Sequence, residues 1–238
     1  MLRTFSLLIC LFLSFSAHAE SGQHWSIDPF EVKYQVKVGI AKAESVVTLN
    51  ALGDSRFEIV SKTRVKGFFG VFKRGTIDER AVFRYVNGEI LAESLSRDDQ
   101  LSPDERSCEV EYRPEQNEAT VRFQGTETIV EIPRDTFNPL LMQIALMQDM
   151  AAGNTPEFYN ILDHAGLKQF SVAVGQRDQI STPAGRYDAI PVDLVSTEIN
   201  AGTRMWAVPE ENWLAVIVEA RKDDEVKATL RVSDLTTG

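Results

Sequence analysis

The stretch from residue 138 to 153 constrains the fold of this chain more than any other, because only there do apolar residues fall at helical spacing. Leu140, Ile144 and Met147 follow one another at intervals of four and three residues, so they form an apolar stripe along one side of a helix. The rest of the chain alternates as strands do. We therefore predict one helix among many strands.

The residues at both ends of this stretch are suited to begin and end a helix. Asn138 can cap the first turn, and Pro139 fits the first helical position, where its missing N–H costs nothing. Gly153 can close the last turn in a left-handed conformation. The predicted helix runs from Pro139 to Ala152.

Strands are predicted on both sides of the helix from alternating hydrophobicity. From Phe30 to Ile40 every second residue is apolar, which is typical of a half-buried strand. Asn87-Gly88 between two apolar runs predicts a tight hairpin. We predict a mainly β fold, with one highly curved antiparallel sheet of about 10–12 strands, an open or partly closed barrel, wrapped around the mid-chain helix.

The N-terminus has the pattern of a secretory signal peptide. Arg3 precedes an apolar run from Phe5 to Phe15, and Ala17-His18-Ala19 is a small-x-small cleavage site. The prediction is a signal peptide over residues 1–19, cleavage after Ala19, and a single β-rich domain over residues 20–238 in the periplasm. No later apolar segment is long enough to cross a bilayer, so an integral membrane protein is not expected.

The charge and the scarcity of reactive side chains exclude several classes of function. The chain has 35 acidic against 25 basic residues, which argues against a nucleic-acid partner. After signal cleavage Cys108 is the single cysteine, and His24 and His164 are the remaining histidines. Too few such ligands remain for a zinc site, and nucleotide-binding and serine-hydrolase motifs are missing, so no catalytic residue, metal or cofactor is predicted.

The preferred function is a non-catalytic binding module for a lipid or another apolar ligand. In this hypothesis the helix and the sheet enclose a cavity, although a plain filled core is an equally good interpretation. The predicted cavity residues are Leu140, Leu141, Ile144, Met147, Tyr34 and Trp206.

An alternative function is an envelope interaction or assembly protein that contacts a partner through a sheet edge or a basic-aromatic surface. Basic and aromatic residues cluster in one segment that also contains several glycines. This segment can contact an anionic lipid surface or a protein. It can also be a bent strand whose aromatic residues pack inside. The predicted contact residues are Arg64, Lys66, Phe68, Phe69, Phe72, Lys73 and Arg74.

A third and weaker hypothesis is an acid–base hydrolase. The polar loop from Arg97 to Arg106 carries four carboxylates, and a pair of carboxylates in one cleft can do acid–base chemistry. Their spacing does not match a calcium loop. A solvated loop is the simpler interpretation.

The order of elements resembles a known family. The segment Thr182-Pro183-Ala184-Gly185-Arg186-Tyr187 is followed by the tryptophan strand Met205–Pro209 and then by the strand Val216–Glu219. This arrangement is similar to the bacterial domain-of-unknown-function family numbered 3108. The resemblance implies a periplasmic β-rich protein with a curved sheet around a helix, as in carriers of lipoproteins and lipids, and it implies no catalytic residues.

Overall fold

A computed structural model describes residues 26–67, 75–102 and 106–237 of the chain. The predicted signal peptide lies outside these residues, and so do five of the predicted surface residues, which are Phe68, Phe69, Phe72, Lys73 and Arg74.

The described residues form sixteen strands and one α-helix, α1, at Pro139–Ala151. The strands that precede the helix are β1 Phe30–Val38, β2 Ala41–Gly53, β3 Arg56–Lys66, β4 Thr76–Val86, β5 Glu89–Asp99, β6 Cys108–Arg113, β7 Glu118–Phe123, β8 Thr126–Glu131 and β9 Thr136–Phe137. The strands that follow it are β10 Phe158–Asp163, β11 Gly166–Val174, β12 Asp178–Thr182, β13 Gly185–Ser196, β14 Ala201–Val208, β15 Leu214–Lys222 and β16 Glu225–Thr237.

The strands form one continuous sheet that joins the two ends of the chain. From β8 back to β1 each strand pairs with its predecessor, β1 then pairs with β16, and the order continues through β15, β14, β13, β11 and β10 to β9. Strand β12 pairs with β13 beside this path. The pairs are antiparallel except for β9 with β10, which is parallel.

The sheet is curved so strongly that its two outer strands approach each other. Strands β8 and β9 are at opposite ends of the strand order, yet only residues 132–135 connect them. A chain of this length spans less than about 20 Å. The sheet therefore curls into an open barrel, which confirms the predicted fold class.

Helix α1 lies inside this barrel, and its first turn is capped as predicted. The Asn138 side-chain oxygen accepts hydrogen bonds from the backbone N–H groups of Leu140 and Leu141, at 3.1 and 3.0 Å. Pro139 opens the helix and Gly153 follows it with a φ of 68°.

The helix is buried on nearly every side, whereas the sequence predicts one apolar stripe. The buried residues are Leu141, Met142, Ile144, Ala145, Leu146, Met147 and Met150. They point in most directions around the helix axis, because the curved sheet surrounds the helix instead of covering one face. The helix contacts β3, β9, β10 and β15.

Local predictions for strands and turns agree with the structure, apart from the number of strands. Asn87 and Gly88 both have positive φ, 54° and 84°, as a two-residue type I′ hairpin requires. There are sixteen strands instead of 10–12, partly because a piece as short as the two-residue β9 carries no alternating pattern.

Candidate functional site

Four of the six predicted cavity residues lie deep in the hydrophobic core. Leu141, Ile144, Met147 and Tyr34 are buried, and Leu140 is half-buried. The Tyr34 hydroxyl donates a hydrogen bond to the Ala215 carbonyl oxygen at 2.8 Å, and burial raises the pKa of this phenol. These side chains pack against other core residues.

Trp206 is placed differently from the other five. It is half-buried between Met205 and Ala207, which are both buried, and the Arg204 guanidinium lies 5.9 Å from the centre of its ring. Since neighbouring residues of a strand point to opposite faces, Trp206 and Met205 lie on different sides of β14.

Two of the predicted surface residues, Arg64 and Lys66, lie at the end of β3. Both are exposed, and the Lys66 ammonium is 3.0 Å from a Glu44 carboxylate oxygen. They lie at the same edge of the barrel as the turn between β1 and β2, because Lys66 pairs in register with Lys42 at the start of β2.

A charged cluster, which the sequence does not predict as a group, is assembled by strand register. Arg97 on β5 lies opposite Glu79 on β4 and opposite Cys108 on β6. Its guanidinium bonds to Glu79 at 2.5 Å and to Asp99 at 2.7 Å. We call Glu79, Arg97, Asp99, Cys108 and His164 the rim cluster.

Asp99 is the most constrained member of the rim cluster. Its side chain is fully buried and accepts hydrogen bonds from Arg97, from the Ser102 hydroxyl and from the backbone N–H groups of Leu101 and Ser102. Burial opposes ionisation, but these hydrogen bonds outweigh it and lower the pKa of Asp99 to about 2. Asp99 therefore holds Leu101 and Ser102, just after β5, in place.

The curvature of the sheet also brings Cys108 next to His164, which is distant in sequence and lies in the turn between two strands that do not pair with β6. The backbone of His164 lies beside the thiol, and the His164 ring packs on Phe123 with centroids 5.0 Å apart. Burial raises the pKa of Cys108 to about 11 and lowers that of His164. The thiol is consequently protonated at neutral pH, and it lacks the activation that a nucleophile needs.

Asp163 does not complete a catalytic relay with His164. Its carboxylate accepts from the backbone N–H of Ala165 at 2.7 Å and from the Lys168 ammonium at 2.8 Å. In a catalytic triad the carboxylate bonds to the imidazole of the base. Cys108, His164 and Asp163 are close together, but they do not have this geometry.

The carboxylates of the polar loop are likewise placed for structure. Asp98 accepts a hydrogen bond from the Gln100 side chain, and it alternates with Asp99, so the two carboxylates lie on opposite faces of β5. Asp104 and Glu105 lie outside the described residues. Within the described part of the chain, no group of three or more His, Cys, Asp or Glu side chains is placed to hold a metal ion.

A cleft of about 370 Å³ lies where α1 ends, and we call it the α1-end cleft. The β4–β5 hairpin, the segment leading into α1, the last turns of α1 and the start of β10 form its walls. Its apolar lining consists of Ile90, Leu91, Phe137, Ala145, Pro156, Phe158 and Tyr159, and its charged lining of Glu89, Arg134, Asp135 and Asp149. Most of the apolar residues are buried, but Phe158 at the mouth is 39% exposed.

Hydrogen bonds make the α1-end cleft a defined structure. The Gln148 side-chain amide donates to the Gly88 carbonyl oxygen, which ties α1 to the β4–β5 turn. Asp149 accepts from the Tyr159 hydroxyl at 2.8 Å and from the Asn154 amide at 2.9 Å, which fixes the chain after the helix. The cleft walls are therefore held in place without a ligand.

The start of β10 borders the same cleft. Phe158 and Tyr159 pair with β11 on one side, but the described part of β9 pairs with Asn160 and Ile161 and does not reach them on the other side. The Phe137 and Tyr159 rings meet edge to face, with centroids 6.0 Å apart. Sequence patterns did not predict this site, because its walls come from four separate segments.

A larger groove is polar and lies on the outer face of the sheet. It has a volume of about 740 Å³ and crosses β3 to β7, with Glu58, Lys62, Arg80 and Arg122 among its lining. The Arg80 guanidinium pairs with Glu58 at 2.7 Å, and that of Arg122 with Glu111 at 2.8 Å. Such walls do not suit an apolar ligand.

Three solved structures are similar to this chain at low sequence identity. A β-barrel-like protein of domain of unknown function DUF1849 from Brucella abortus has a TM-score of 0.57 at 12% identity, over 89% of this chain and 98% of that one. The complex of MucA and MucB from Pseudomonas aeruginosa has a TM-score of 0.38 at 8% identity, over 89% and 52%. A putative exported protein with a YmcC-like fold from Bacteroides fragilis has a TM-score of 0.37 at 12% identity, over 89% and 97%.

The first of these likenesses supports the fold, and the other two are too weak to support anything further. A search of curated protein sequences finds no match. No helix in the described part of the chain is long and apolar enough to cross a membrane. The family model of the protein of unknown function DUF3108 matches residues 29–231, and the chain therefore belongs to this family.

Proposed function

We propose that this chain is an exported, non-catalytic periplasmic protein that binds the apolar part of a lipid or a similar small amphipathic ligand in the α1-end cleft. The cleft itself is the observation that carries this proposal. Its volume of about 370 Å³ lies in the range typical of small-molecule sites, roughly 300–1,000 Å³. The signal-peptide pattern of residues 1–19 supports export.

The chemistry of the cleft fits a ligand with an apolar body and a polar end. Phe137, Leu91 and Ala145 offer an apolar floor, and Phe158 at the mouth is free to cover a guest. The polar groups beside this floor are the Gln148 and Asn154 amides, which already bond to Gly88 and Asp149, and the charged side chains of Glu89, Arg134 and Asp135. An apolar floor with a few polar groups at its edge is the usual composition of a ligand site.

The space between α1 and the sheet is the less suitable place for a guest. Leu141, Ile144 and Tyr34 are fully enclosed by core side chains. Close-packed cores admit a ligand only when side chains move apart, which costs free energy. We therefore place the ligand at the end of the helix instead of along it.

Binding of a dansyl-labelled undecanoic acid tests this function. We expect saturable binding to the exported chain, with an increase in dansyl emission that unlabelled lauric acid reverses. Phe158→Asp places a charge at the cleft mouth and should weaken binding about fivefold or more. Ala145→Phe should reduce it further by filling the cleft.

The matched control is Ile199→Asp in the turn between β13 and β14, because Ile199 is 37% exposed and Phe158 is 39% exposed. This variant should bind like the original chain. Absence of saturable binding in the original chain, or equal losses in Phe158→Asp and Ile199→Asp, would reject the cleft as the site.

A second candidate function is supported by the outer edge of β8. All six residues of this strand are at least partly exposed, Ile129 is 64% exposed, and among the described residues the strand pairs only with β7. A sheet edge of this kind can accept a strand from an envelope partner. In-cell crosslinking from a photoreactive residue at position 129 should then trap one defined protein, and a blank crosslinking pattern would reject this surface.

A further inference from the structure

The end of β1 and the turn that follows it carry two of the most exposed large apolar side chains of the described residues. Ile40 is 83% exposed and Val38 is 52% exposed. Gly39 between them has a φ of 57°, as the first central residue of a type II′ hairpin turn has. The short turn therefore presents Val38 and Ile40 at a tip of the barrel edge.

Three lysines form a row directly behind this tip. Lys37 on β1 pairs in register with Lys42 on β2, and Lys42 pairs with Lys66 on β3. Paired residues of antiparallel strands lie on the same face of the sheet, so the row presents three positive charges side by side. The Lys66 ammonium also forms an ion pair with the Glu44 carboxylate, with 3.0 Å between the nitrogen and the oxygen.

The lysine row is unfavourable for the isolated protein. Like charges directly opposite each other on neighbouring strands repel and destabilise the pair. Among the described residues neither Lys37 nor Lys42 makes an ion pair, although the whole chain has a net charge of −10 and contains many carboxylates. A negatively charged surface outside the protein would relieve this repulsion.

We propose that the β1–β2 tip docks on an anionic phospholipid bilayer. Ile40 and Val38 enter the headgroup region, and the lysine row lies over the lipid phosphates. Apolar side chains beside basic ones are the combination that binds such a surface. This surface is separate from the α1-end cleft, so docking goes beyond the proposed ligand binding.

Acidic residues near the tip define how the protein meets the membrane. The first residues of β16 extend beyond the last residue that pairs with β1. The turn before them, between β15 and β16, contains Asp223 and Asp224. These carboxylates are repelled by anionic lipid. The protein therefore docks tilted, with the β2–β3 side towards the bilayer and the β15–β16 turn away from it.

Flotation with phosphatidylglycerol vesicles tests docking. We expect the exported chain to float with these vesicles at low salt, to bind pure phosphatidylcholine vesicles far less, and to dissociate as salt rises. Ile40→Asp should reduce the partition coefficient about tenfold or more. Lys37→Gln and Lys42→Gln should each reduce it about fivefold.

The matched control is Ile129→Asp, which also replaces a strongly exposed isoleucine but lies within β8, at the far end of the strand order. It should float like the original chain. In an Ile40→Trp variant, tryptophan emission should shift to the blue with vesicles and be quenched by brominated lipid. Failure of the original chain to float with anionic vesicles, or unchanged flotation of Ile40→Asp, would overturn the proposal. Binding of the dansyl-labelled fatty acid is measured without vesicles, so it tests the α1-end cleft independently of membrane docking.

Discussion

At the scale of single residues, register decides which side chains interact. Arg97, Glu79 and Cys108 belong to three strands, and each is unremarkable in its own segment of sequence. Antiparallel pairing places them side by side near the barrel edge. The result is a partly buried ion pair with hydrogen-bond support, which stabilises the start of the loop after β5.

Asp99 should make the stability of the protein sensitive to acid. The pKa of Asp99 is lowered from 3.8 in the unfolded chain to about 2 in the fold, so its carboxylate stabilises the fold above about pH 4. This contribution, about 2 kcal/mol, is lost as the pH falls from 4 towards 2.

Asp99→Asn should therefore lower the free energy of unfolding at pH 7 by about 2 kcal/mol and flatten its decline below pH 4. Urea unfolding at several pH values measures both effects. Asp98→Asn on the same strand is the control and should change little. A steep decline below pH 4 that persists unchanged in Asp99→Asn would contradict this role.

Cys108 should react slowly in the folded protein. The thiol is buried and its pKa is raised to about 11, so little thiolate exists at pH 8. Iodoacetamide labelling followed by mass spectrometry should be complete in urea and slow in buffer. Rapid labelling of the native protein at pH 8 would show an accessible, activated thiol instead.

At the scale of elements, α1 is stabilised by its surroundings. It has a side-chain cap at Asn138 and a left-handed Gly153 after its end, both readable from the sequence. Its burial on nearly all sides depends on a sheet whose strands come from residues far before and after it. The helix therefore fills the barrel and leaves its C-terminal end as a wall of the cleft.

Ile144→Ala should lower the free energy of unfolding by about 2–5 kcal/mol, because the side chain is fully buried and its loss leaves a cavity. Leu140→Ala on the same helix is half-buried and should cost clearly less. Chemical denaturation followed by circular dichroism measures both. Equal costs for the two variants would show that α1 is not enclosed as described.

At the scale of the whole molecule, the pairing of β1 with β16 holds the two halves of the sheet together. Everything before α1 except β9 lies on one side of this pair, and everything after it on the other. The helix touches strands of both halves. Neither half has a separate core, because the buried side chains of both form one cluster.

We therefore expect the chain to unfold in a single cooperative transition. Hydrogen exchange measured by mass spectrometry near the unfolding midpoint should show amides of β5 and β14 opening together. Far-UV circular dichroism and tryptophan fluorescence should give the same midpoint. Two separated transitions would mean that the halves fold independently.

The sequence by itself determined what is local in this protein: the helix with its caps, the Asn87-Gly88 turn and the alternating strands. These follow from backbone conformation and side-chain periodicity within about a dozen residues. Family membership was also readable from the order of these elements.

Only the tertiary structure decided the features that join distant segments. The all-round burial of α1, the charged cluster around Arg97, the α1-end cleft and the lysine row behind Ile40 each depend on strand register and on the curvature of the sheet. A shift of register by one residue moves every side chain of a strand to the other face, and no local pattern specifies which distant strand will be its neighbour.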